Sequence, residues 1–571
     1  MKERGVDDVE TFLNPTAEHL QSPFLFKNME EGCHLLAKHL QNKSRIMLLI
    51  DADCDGFTSA SVTYQFIKDI SGIECVYFTH EQKKHGLHPA IMEQVHDCDL
   101  IICPDAATND VESCKELNER GIDVLILDHH QIEVENPYAV VINSADGQYP
   151  NESLVGVMVV FKFCQAFKYL YNVEVDLRKY LPLVALGQIA DMGGLASPDS
   201  RYLTLEGIKR FRDNKFLDAL CEALNYSMGG KVTIETISWS LSPLLNATIR
   251  MGEYEFKIHL FEALSGIEKT IEYKARKSKN NPNPQTQYLP LHEYMPIKCK
   301  NLKSKQDNST KKNVAIIEEQ IEREGLANHS VLVIDGGEMP QAFTGLVANK
   351  LAQKYKRPCV VLKPRSNGIM LGGSVRNYSK HPVDDFRTFM LDSGLMSYAS
   401  GHKSALGCEI PVANLQSFIE YADEKLADVV IEDVWHVDYE LNASSLTERD
   451  VLTVAEYDDI WGSNIEKPRF AITNIYLMAE DIKLVGEKKN IIRFETTYGN
   501  NRLTFIKFFA NEEMYNKLIH RTTTGFGTST GGKLKLTVIG EFKINEYNNN
   551  AYPQIQIVEM MSEKVENKVL F

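Results

Sequence analysis

Short apolar runs alternate with amphipathic, helix-length stretches over the first quarter of the chain. Each run ends in polar or turn-forming residues, and a helical pattern separates most of them from the next. Runs of this kind are typical of the buried strands of a doubly wound parallel sheet. The pattern predicts a crossover helix over 111–120, stopped by Gly121, and strands over 46–50, 74–78, 99–103, 123–127 and 138–143.

A second alternating unit follows a helical region. Residues 155–215 have a mainly helical pattern, in which one apolar segment, 181–190, leads directly into Asp191. After residue 330 the pattern alternates again, with an apolar run, an amphipathic helix and a second apolar run. The predicted elements are a strand over 330–335, a helix over 346–355 and a strand over 358–362.

From about residue 469 the chain becomes β-rich. Apolar and polar residues alternate in short runs, and Gly, Asn and Thr are concentrated in the turns between them. Five strands over about 95 residues fit a small closed barrel such as an OB-fold. The runs cover 469–477, 490–498, 502–509, 533–542 and 552–560.

Composition is that of a soluble protein with several domains. The chain has 571 residues, of which 43 % are hydrophobic and 25 % are charged. No apolar run approaches the roughly 20 residues that a membrane helix needs, and the N-terminus has no signal-peptide pattern. The eleven cysteines form no CxxC pair, which argues against a zinc ribbon or a disulfide framework. We therefore expect a cytoplasmic protein with no membrane partner.

Charge is unevenly distributed. The formal net charge is −16, which argues against a simple basic coat for nucleic acid, yet residues 274–312 carry ten Lys and Arg against two acidic residues. The same stretch contains the polar run NNPNPQTQ, so we predict a polar excursion outside the compact cores over about 278–312, closed near Lys311. Such a stretch fits either a local polyanion-binding surface or a solvated linker.

Potential metal ligands follow three of the predicted strands. The first strand leads into DADCDG (51–56), the third into Asp105, and the fourth into Asp128-His129-His130. Because the carboxyl ends of parallel strands line one crevice, we expect these side chains to converge. A site rich in carboxylates with an added imidazole suits Mn²⁺ or Mg²⁺ better than a soft-ligand zinc site.

These acidic residues also have two simpler interpretations. An EF-hand loop also begins DxDxDG, but it needs a preceding helix and a Glu at its twelfth position, where this chain has Val62. Each Asp could also just cap a helix or begin a turn. That interpretation suits any one of them, but not three strand ends together, one of which carries Asp-His-His.

These residues resemble the motifs of the DHH phosphoesterase family, and within it those of the RecJ-type single-strand-specific exonucleases. The family motifs match residues 51–56, 104–110, 127–130 and 185–195, and RecJ-type features match 241–252, 372–379, 399–407 and 461–464. One departure is Ala107, where the second motif usually has Gly. A positive φ at this alanine would be strained.

The resemblance implies a role for each candidate residue. Two divalent cations, Mn²⁺ or Mg²⁺, would be held by Asp51, Asp53, Asp105, His129 and Asp191. Asp105 would bridge the cations, Asp128 would orient an imidazole, and His130 would contact the scissile phosphate. Asp55 would shape the loop. The expected contacts to the substrate strand are Arg250, Ser374, Arg376 and His402.

The resemblance also implies a domain order. We expect an α/β protein with a doubly wound parallel-sheet DHH domain, a second α/β domain of the DHHA1 type and a C-terminal OB-like β-barrel. The predicted divisions are an N-terminal extension (1–45), the DHH domain (46–200), a helical connection with the basic excursion (201–312), the DHHA1 domain (313–430), a connecting segment (431–468) and the OB-like domain (469–571).

The function implied is metal-dependent, 5′→3′ exonucleolytic hydrolysis of single-stranded DNA in repair, recombination or replication. We expect a monomer that works beside a helicase or a single-strand-binding protein. Two alternatives stay open. One is a DHH phosphodiesterase for short oligonucleotides or cyclic dinucleotides, and the other is a non-catalytic replication scaffold. The extra barrel and the basic excursion favour a longer strand, and the five candidate ligands argue against a scaffold.

Overall fold

A parallel sheet forms the centre of the first α/β unit. The computed structural model describes residues 1–565 except 82–83, 276, 278–281, 366–367, 433, 463, 525–526 and 548–549. All strand pairs in this sheet are parallel, in the order β2-β1-β3-β4-β5, as the apolar runs predict. The strands are β1 (Ile46–Ile50), β2 (Val76–Thr79), β3 (Leu100–Pro104), β4 (Asp123–Asp128) and β5 (Val140–Asn143).

Helices cover both faces of this sheet, which explains why its strands are continuous apolar runs. Alternate residues of β1 enter different cores: Leu48 packs on one face of the sheet and Leu49 on the other. The helices from the N-terminus to the end of this unit are α1 (Val9–Leu13), α2 (Met29–Gln41), α3 (Cys54–Ser71), α4 (Pro89–Met92), α5 (Val111–Glu119), α6 (Gly156–Tyr171) and α7 (Leu181–Ala190).

A helical region connects the first unit to the second. Its helices are α8 (Pro198–Lys209), α9 (Lys215–Ala223), α10 (Ile234–Thr236), α11 (Ser242–Met251) and α12 (Tyr254–Leu264), with one π-helical turn, Ile237–Leu241, between α10 and α11. A hairpin of β6 (Thr270–Lys274) and β7 (Thr286–Pro290) follows. It leads into α13 (Leu291–Glu324), the longest helix among the described residues.

The predicted polar excursion over 278–312 is wrong from residue 291 onward. Leu291, Met295 and Cys299 lie on one buried face of α13 in the first core, while Ile317 and Ile321 enter the core of the second unit. The helix therefore bridges the two units, and the predicted boundary at 312 lies inside it. The apolar positions of α13 are few and lie among exposed lysines, so the sequence shows no clear helical pattern there. Pro296 lies close to the start of the helix, where a proline disrupts few backbone hydrogen bonds. Residues 278–281 lie outside the described part of the chain.

The second unit is built on a mixed sheet in the order β11-β12-β10-β9-β8. Only β8 and β9 are parallel, and the remaining pairs are antiparallel. The strands are β8 (Leu332–Asp335), β9 (Cys359–Pro364), β10 (Met370–Arg376), β11 (Tyr398–His402) and β12 (Ala405–Pro411), and the helices are α14 (Gln341–Tyr355), α15 (Phe386–Asp392) and α16 (Leu415–Lys425).

The C-terminal unit is a mainly antiparallel sheet in the order β13-β14-β20-β21-β17-β16-β15. All five predicted strands are present, whereas closure into a barrel stays a prediction. The elements are β13 (Tyr439–Asn442), α17 (Glu448–Ala455), β14 (Phe470–Met478), β15 (Lys483–Val485), β16 (Ile491–Tyr498), β17 (Asn501–Phe508), α18 (Glu512–Leu518), the hairpin β18 (Thr522–Thr524) with β19 (Gly527–Ser529), β20 (Lys533–Tyr547) and β21 (Asn550–Lys564).

This unit begins earlier than the predicted residue 469. Strand β13 pairs in parallel with β14, and Val451 on α17 is fully buried in the same core. Strand β13 has few apolar residues and α17 is only eight residues long, which explains why both lie in the predicted connecting segment. A cluster of charges holds the unit against the helical region, because Lys467 contacts Glu235 at 2.5 Å and Asp458 at 2.8 Å. Among the described residues, no helix is long and apolar enough to cross a bilayer.

Candidate active site

The carboxyl edge of the first sheet brings together the acidic and histidine residues predicted from the sequence. Asp51 follows β1, Asp105 follows β3, Asp128 ends β4, and Asp191 follows α7. Parallel strands present their carboxyl ends at one edge, so residues far apart in the chain become neighbours. His129 is the meeting point, since its Nε2 atom lies 3.1 Å from Asp105 Oδ1 and 3.6 Å from Asp191 Oδ2.

Asp51 and Asp53 hold fixed positions at the start of α3. Asp51 is almost fully buried, and its Oδ1 atom accepts a hydrogen bond from the Gly86 amide at 3.0 Å. Asp53 is the N-cap of α3, where its Oδ1 atom accepts from the Gly56 amide at 3.0 Å. The cap uses one oxygen of Asp53 and leaves the other for a ligand.

Asp105 is a buried carboxylate without a hydrogen-bond partner at Oδ1, even though His129 Nε2 is close. Burial raises the pKa of Asp105 well above its usual range, and the charge of Asp55 adds to the shift. Desolvation inside the cleft, followed by the charge of Asp53, raises the pKa of Asp191 to about 7. Carboxylates this close to one another repel, and a bound cation would relieve that repulsion.

Asp128 organises the two histidines that follow it. Its Oδ1 atom accepts from the amides of His129 and His130 and lies 2.8 Å from His130 Nδ1, while Oδ2 accepts from Thr108 Oγ1 at 2.7 Å. Although burial opposes ionisation, these bonds hold the pKa of Asp128 below its usual range. The same bond to Asp128, against the effect of desolvation, raises the pKa of His130 to about 10.

Asp55 has a different environment from the other acidic residues of its motif. It is buried, and its carboxylate accepts from the amides of Gly156 at 2.7 Å and Val157 at 3.1 Å, at the start of α6. A helix N-terminus favours a negative charge, so this contact ties α3 to α6. The expected role of Asp55 in shaping the loop stays a prediction.

The donor set fits a divalent cation. Ligand atoms from Asp105, Asp128, His129 and His130 lie within 4.8 Å of one another, and the same holds for Asp55, His129 and Asp191. Burial, with help from the charge of His130, lowers the pKa of His129 to about 4, which keeps that imidazole neutral and able to ligate. Carboxylate oxygens with one neutral nitrogen suit Mn²⁺ or Mg²⁺. The cluster could therefore hold a metal ion.

The turn after β3, in the second motif, has the positive φ at Ala107 that was expected to be strained. Ala107 has a φ of 82° and is 8 % exposed. We expect Ala107→Val to lower the free energy of unfolding by about 2 kcal/mol or more, because a β-branched residue fits poorly at positive φ. Urea denaturation measures this. The control is Ala106→Val, which adds the same methyl groups at a buried neighbour outside the positive-φ region. Equal losses in both variants would show that crowding alone is responsible.

The predicted substrate contacts come from the connecting helices and the second unit. Arg250 lies near the end of α11, Ser374 and Arg376 lie on β10, and His402 ends β11. Burial lowers the pKa of Arg250, opposed by the charge of Asp53, and burial together with the charge of Arg250 lowers that of Arg376. Arg250 therefore interacts electrostatically with both Arg376 and Asp53.

Both arginines have guanidinium groups that could bind an anion. The buried Nε atom of Arg250 has no hydrogen-bond partner, and Arg376 makes a bond to the Val375 carbonyl at 2.7 Å. A Cβ on Gly345 would lie 2.9 Å from Arg376 Nη2, so this glycine leaves room for the guanidinium. Both arginines are half-buried, and two neighbouring cations repel, so a phosphate would neutralise both. Ser374 instead bonds Thr344 Oγ1 at 2.8 Å, and His402 lies near enough to affect His129.

Two histidines at this edge were missed by the sequence analysis. His85 Nδ1 lies 2.5 Å from Asp51 Oδ2, and His80 Nε2 lies 3.9 Å from Asp51 Oδ1. Both belong to the segment after β2. The available signal was the histidine-rich stretch following a strand of the same sheet, in a position equivalent to those of Asp105 and His129.

Comparison with known proteins agrees with this geometry. Residues 45–188 match the DHH family, N-terminal domain, and residues 437–559 match the RecJ OB domain. The SPbeta prophage-derived protein YorK of Bacillus subtilis (strain 168), named as a single-strand DNA-specific exonuclease, is 31 % identical over 577 residues, covering 100 % of this chain and 96 % of YorK.

Two RecJ proteins extend the comparison. The single-stranded-DNA-specific exonuclease RecJ of Bacillus subtilis (strain 168) is 26 % identical over 574 residues, covering 97 % of this chain and 66 % of that protein. The crystal structure of Thermus thermophilus RecJ with Mn²⁺ matches the fold with a TM-score of 0.73 at 18 % identity, covering 99 % of this chain and 75 % of that one. The motifs, the arrangement of domains and the full-length similarity place this chain in the RecJ family of DHH proteins.

Proposed function

We propose that this protein is a metal-dependent exonuclease that hydrolyses single-stranded DNA from its 5′ end. The observation that carries the proposal is the convergence of Asp51, Asp53, Asp105, His129 and Asp191 at one sheet edge, with a buried Asp105 oxygen that has no hydrogen-bond donor. The names of the relatives support single-stranded DNA as the substrate.

The five residues would hold two divalent cations, Mn²⁺ or Mg²⁺, and Asp105 would contribute to this set. When bound, the cations would acidify water and neutralise charge on the phosphate during an in-line displacement. The chain supplies the rest. Asp128 holds Nδ1 of His130, which leaves Nε2 of that protonated ring to donate to a phosphate oxygen. Asp55 keeps the first motif in place through its bonds to α6.

Arg250 and Arg376 would bind phosphates of the strand, with His402 and Ser374 at the same side of the cleft. Guanidinium groups bind phosphate oxygens in pairs, so a terminal 5′ phosphate is the natural ligand for two adjacent arginines. We propose that the protein acts as a monomer in DNA repair, recombination or replication, beside a helicase or a single-strand-binding protein.

A gel assay of end-labelled substrates tests this function. The wild-type protein is incubated with single strands, duplexes and dinucleotides, in Mn²⁺, in Mg²⁺ and in EDTA. We expect hydrolysis of single strands only, abolished by EDTA, with a 5′ label released as mononucleotide before a 3′ label. Hydrolysis restricted to dinucleotides would show a small-substrate phosphodiesterase. Absence of hydrolysis with bound metal would show a scaffold.

The C-terminal unit would bind the part of the DNA strand that lies outside the cleft. Two aromatic residues of this unit have structural roles: Phe505 is buried against Phe494, and the Tyr498 hydroxyl donates to the Asn474 carbonyl. Phe509, in contrast, follows β17 and is 92 % exposed. An exposed ring of this kind can stack on a base.

We expect Phe509→Ala to weaken binding of a fifty-nucleotide strand roughly 5- to 150-fold, the equivalent of about 1–3 kcal/mol for one stacked base. Binding of a five-nucleotide strand, too short to extend from the cleft to this unit, should change little. Fluorescence anisotropy measures both. The matched control is Tyr439→Ala, which removes an exposed ring from edge strand β13. Equal losses of affinity for the long and the short strand would contradict a separate DNA-binding site on the C-terminal unit.

A further inference from the structure

The described residues of the segment after β2 contact the candidate ligand Asp51. Residues 80–88 contain His80, His85 and His88, and residues 82–83 between them lie outside the described chain. The described part is pinned at both ends. The buried Lys257 ammonium donates to the His80 carbonyl at 2.8 Å, and the Leu87 amide donates to Asp110 Oδ2 at 2.7 Å.

A glycine turn places two groups of this segment on Asp51 together. Gly86 has a φ of 67°, and a Cβ there would lie 2.2 Å from Asp110 Oδ2, so the turn requires glycine. In this conformation the Gly86 amide donates to Asp51 Oδ1 while His85 Nδ1 lies 2.5 Å from Asp51 Oδ2. Ligand atoms from Asp51, Asp53 and His85 all lie within 4.8 Å of one another. His85 therefore faces both carboxylates.

A second, independent observation indicates a missing ligand at this point. His80 is 3 % exposed, and its Nε2 atom has no hydrogen-bond partner although it lies 3.9 Å from Asp51 Oδ1. A buried ring nitrogen without a partner is costly unless a further group completes its surroundings. A cation held between Asp51 and Asp53, with its bound water, would give the His80 Nε2 atom a polar neighbour.

We propose that His85 supplies a second nitrogen ligand, beside that of His129, at the Asp51–Asp53 side of the metal centre. This inference rests on the proposed function and adds a residue to its metal-binding set. An imidazole ligand favours transition-metal ions over Mg²⁺, which prefers oxygen and water. His85 would thus bias the centre toward Mn²⁺.

Calorimetry with Mn²⁺ alone and with Mg²⁺ alone tests the bias. In His85→Ala and His85→Asn, we expect affinity for Mn²⁺ to fall at least about tenfold and affinity for Mg²⁺ to change by less than about threefold. The asparagine amide takes the place of Nδ1 and can still donate to Asp51, so this variant separates ligation from orientation. The control is His88→Ala, because His88 instead accepts from the Ala90 amide at the start of α4. Recovery of the wild-type Mn²⁺ preference in His85→Asn would overturn the proposal.

Pulsed EPR of the Mn²⁺-loaded full-length chain gives a readout that does not depend on activity, and its result for the wild type does not depend on the folding of a variant. Two directly coordinated nitrogens are expected in the wild type and one in His85→Asn. A single nitrogen in the wild type, or an unchanged pair in His85→Asn, would contradict ligation by His85. Either result leaves the proposed function standing, whereas failure of the wild type to hydrolyse single strands with bound metal would overturn that function without involving His85.

Discussion

Asp53→Asn should lower the turnover of single-stranded DNA by at least about a thousandfold while leaving the free energy of unfolding close to that of the wild type. Asparagine and aspartate are comparable N-caps, so the bond to the Gly56 amide can be kept and α3 should still form. The negative charge is lost, and with it part of the charge stabilisation and nucleophile activation that a complete metal site provides.

The experiment compares turnover at saturating Mn²⁺ with unfolding in urea for the same preparation. Asp8→Asn is the matched control, because Asp8 caps α1 in the same way, by accepting from the Thr11 amide at 3.0 Å, and is remote in the sequence from every metal-binding motif. His129→Ala should lose activity to a similar extent. Near-normal turnover by a folded, metal-loaded Asp53→Asn protein would refute the mechanism.

The sequence predicted the catalytic sheet well because its physical signal is local. A strand buried on both faces must be apolar throughout, as in β1, and its carboxyl end is marked by the first polar residue, Asp51. The parallel order of the strands then determines which residues converge. The relation between Asp105 and His129 therefore followed from two short segments, without knowledge of any side-chain conformation.

Features that depend on contacts between distant segments could not be predicted from the sequence. Helix α13 has few apolar positions, and they become a buried face only because two separate cores receive its ends. Likewise, β13 was missed because an edge strand that is largely exposed carries little apolar pattern. His85 was missed for a third reason: its proximity to Asp51 depends on the glycine turn at Gly86, which no periodicity reveals.

The position of the arginine pair also became visible only in the structure. Arg250 and Arg376 belong to different elements far apart in the chain, and the family resemblance named them without relating one to the other. In the structure the charge of Arg250 helps to lower the pKa of Arg376, and the charge of Asp53 acts on Arg250. This arrangement links metal binding and strand binding in one cleft.

Arg250→Met should lower kcat/KM on 5′-phosphorylated single strands by about a hundredfold, or roughly 2.7 kcal/mol of transition-state binding. The methionine keeps much of the side-chain volume but cannot bind phosphate. Because the change also removes one of two neighbouring half-buried cations, and the buried Nε atom of Arg250 has no partner, the free energy of unfolding should stay the same or rise. Steady-state kinetics and urea denaturation measure the two effects.

The preference for a 5′ phosphate over a 5′ hydroxyl distinguishes phosphate binding from a general loss of charge. We expect this preference to disappear in Arg250→Met and in Arg376→Met, while Mn²⁺ affinity by calorimetry stays within about threefold, since neither guanidinium is a metal ligand. Arg45→Met is the control: it removes one positive charge from the opposite end of β1, where Arg45 is exposed and contacts Asp97 at 3.9 Å. If both cleft variants kept the wild-type end preference, the terminal phosphate would have to bind elsewhere, and the two arginines would serve internal phosphates of the strand.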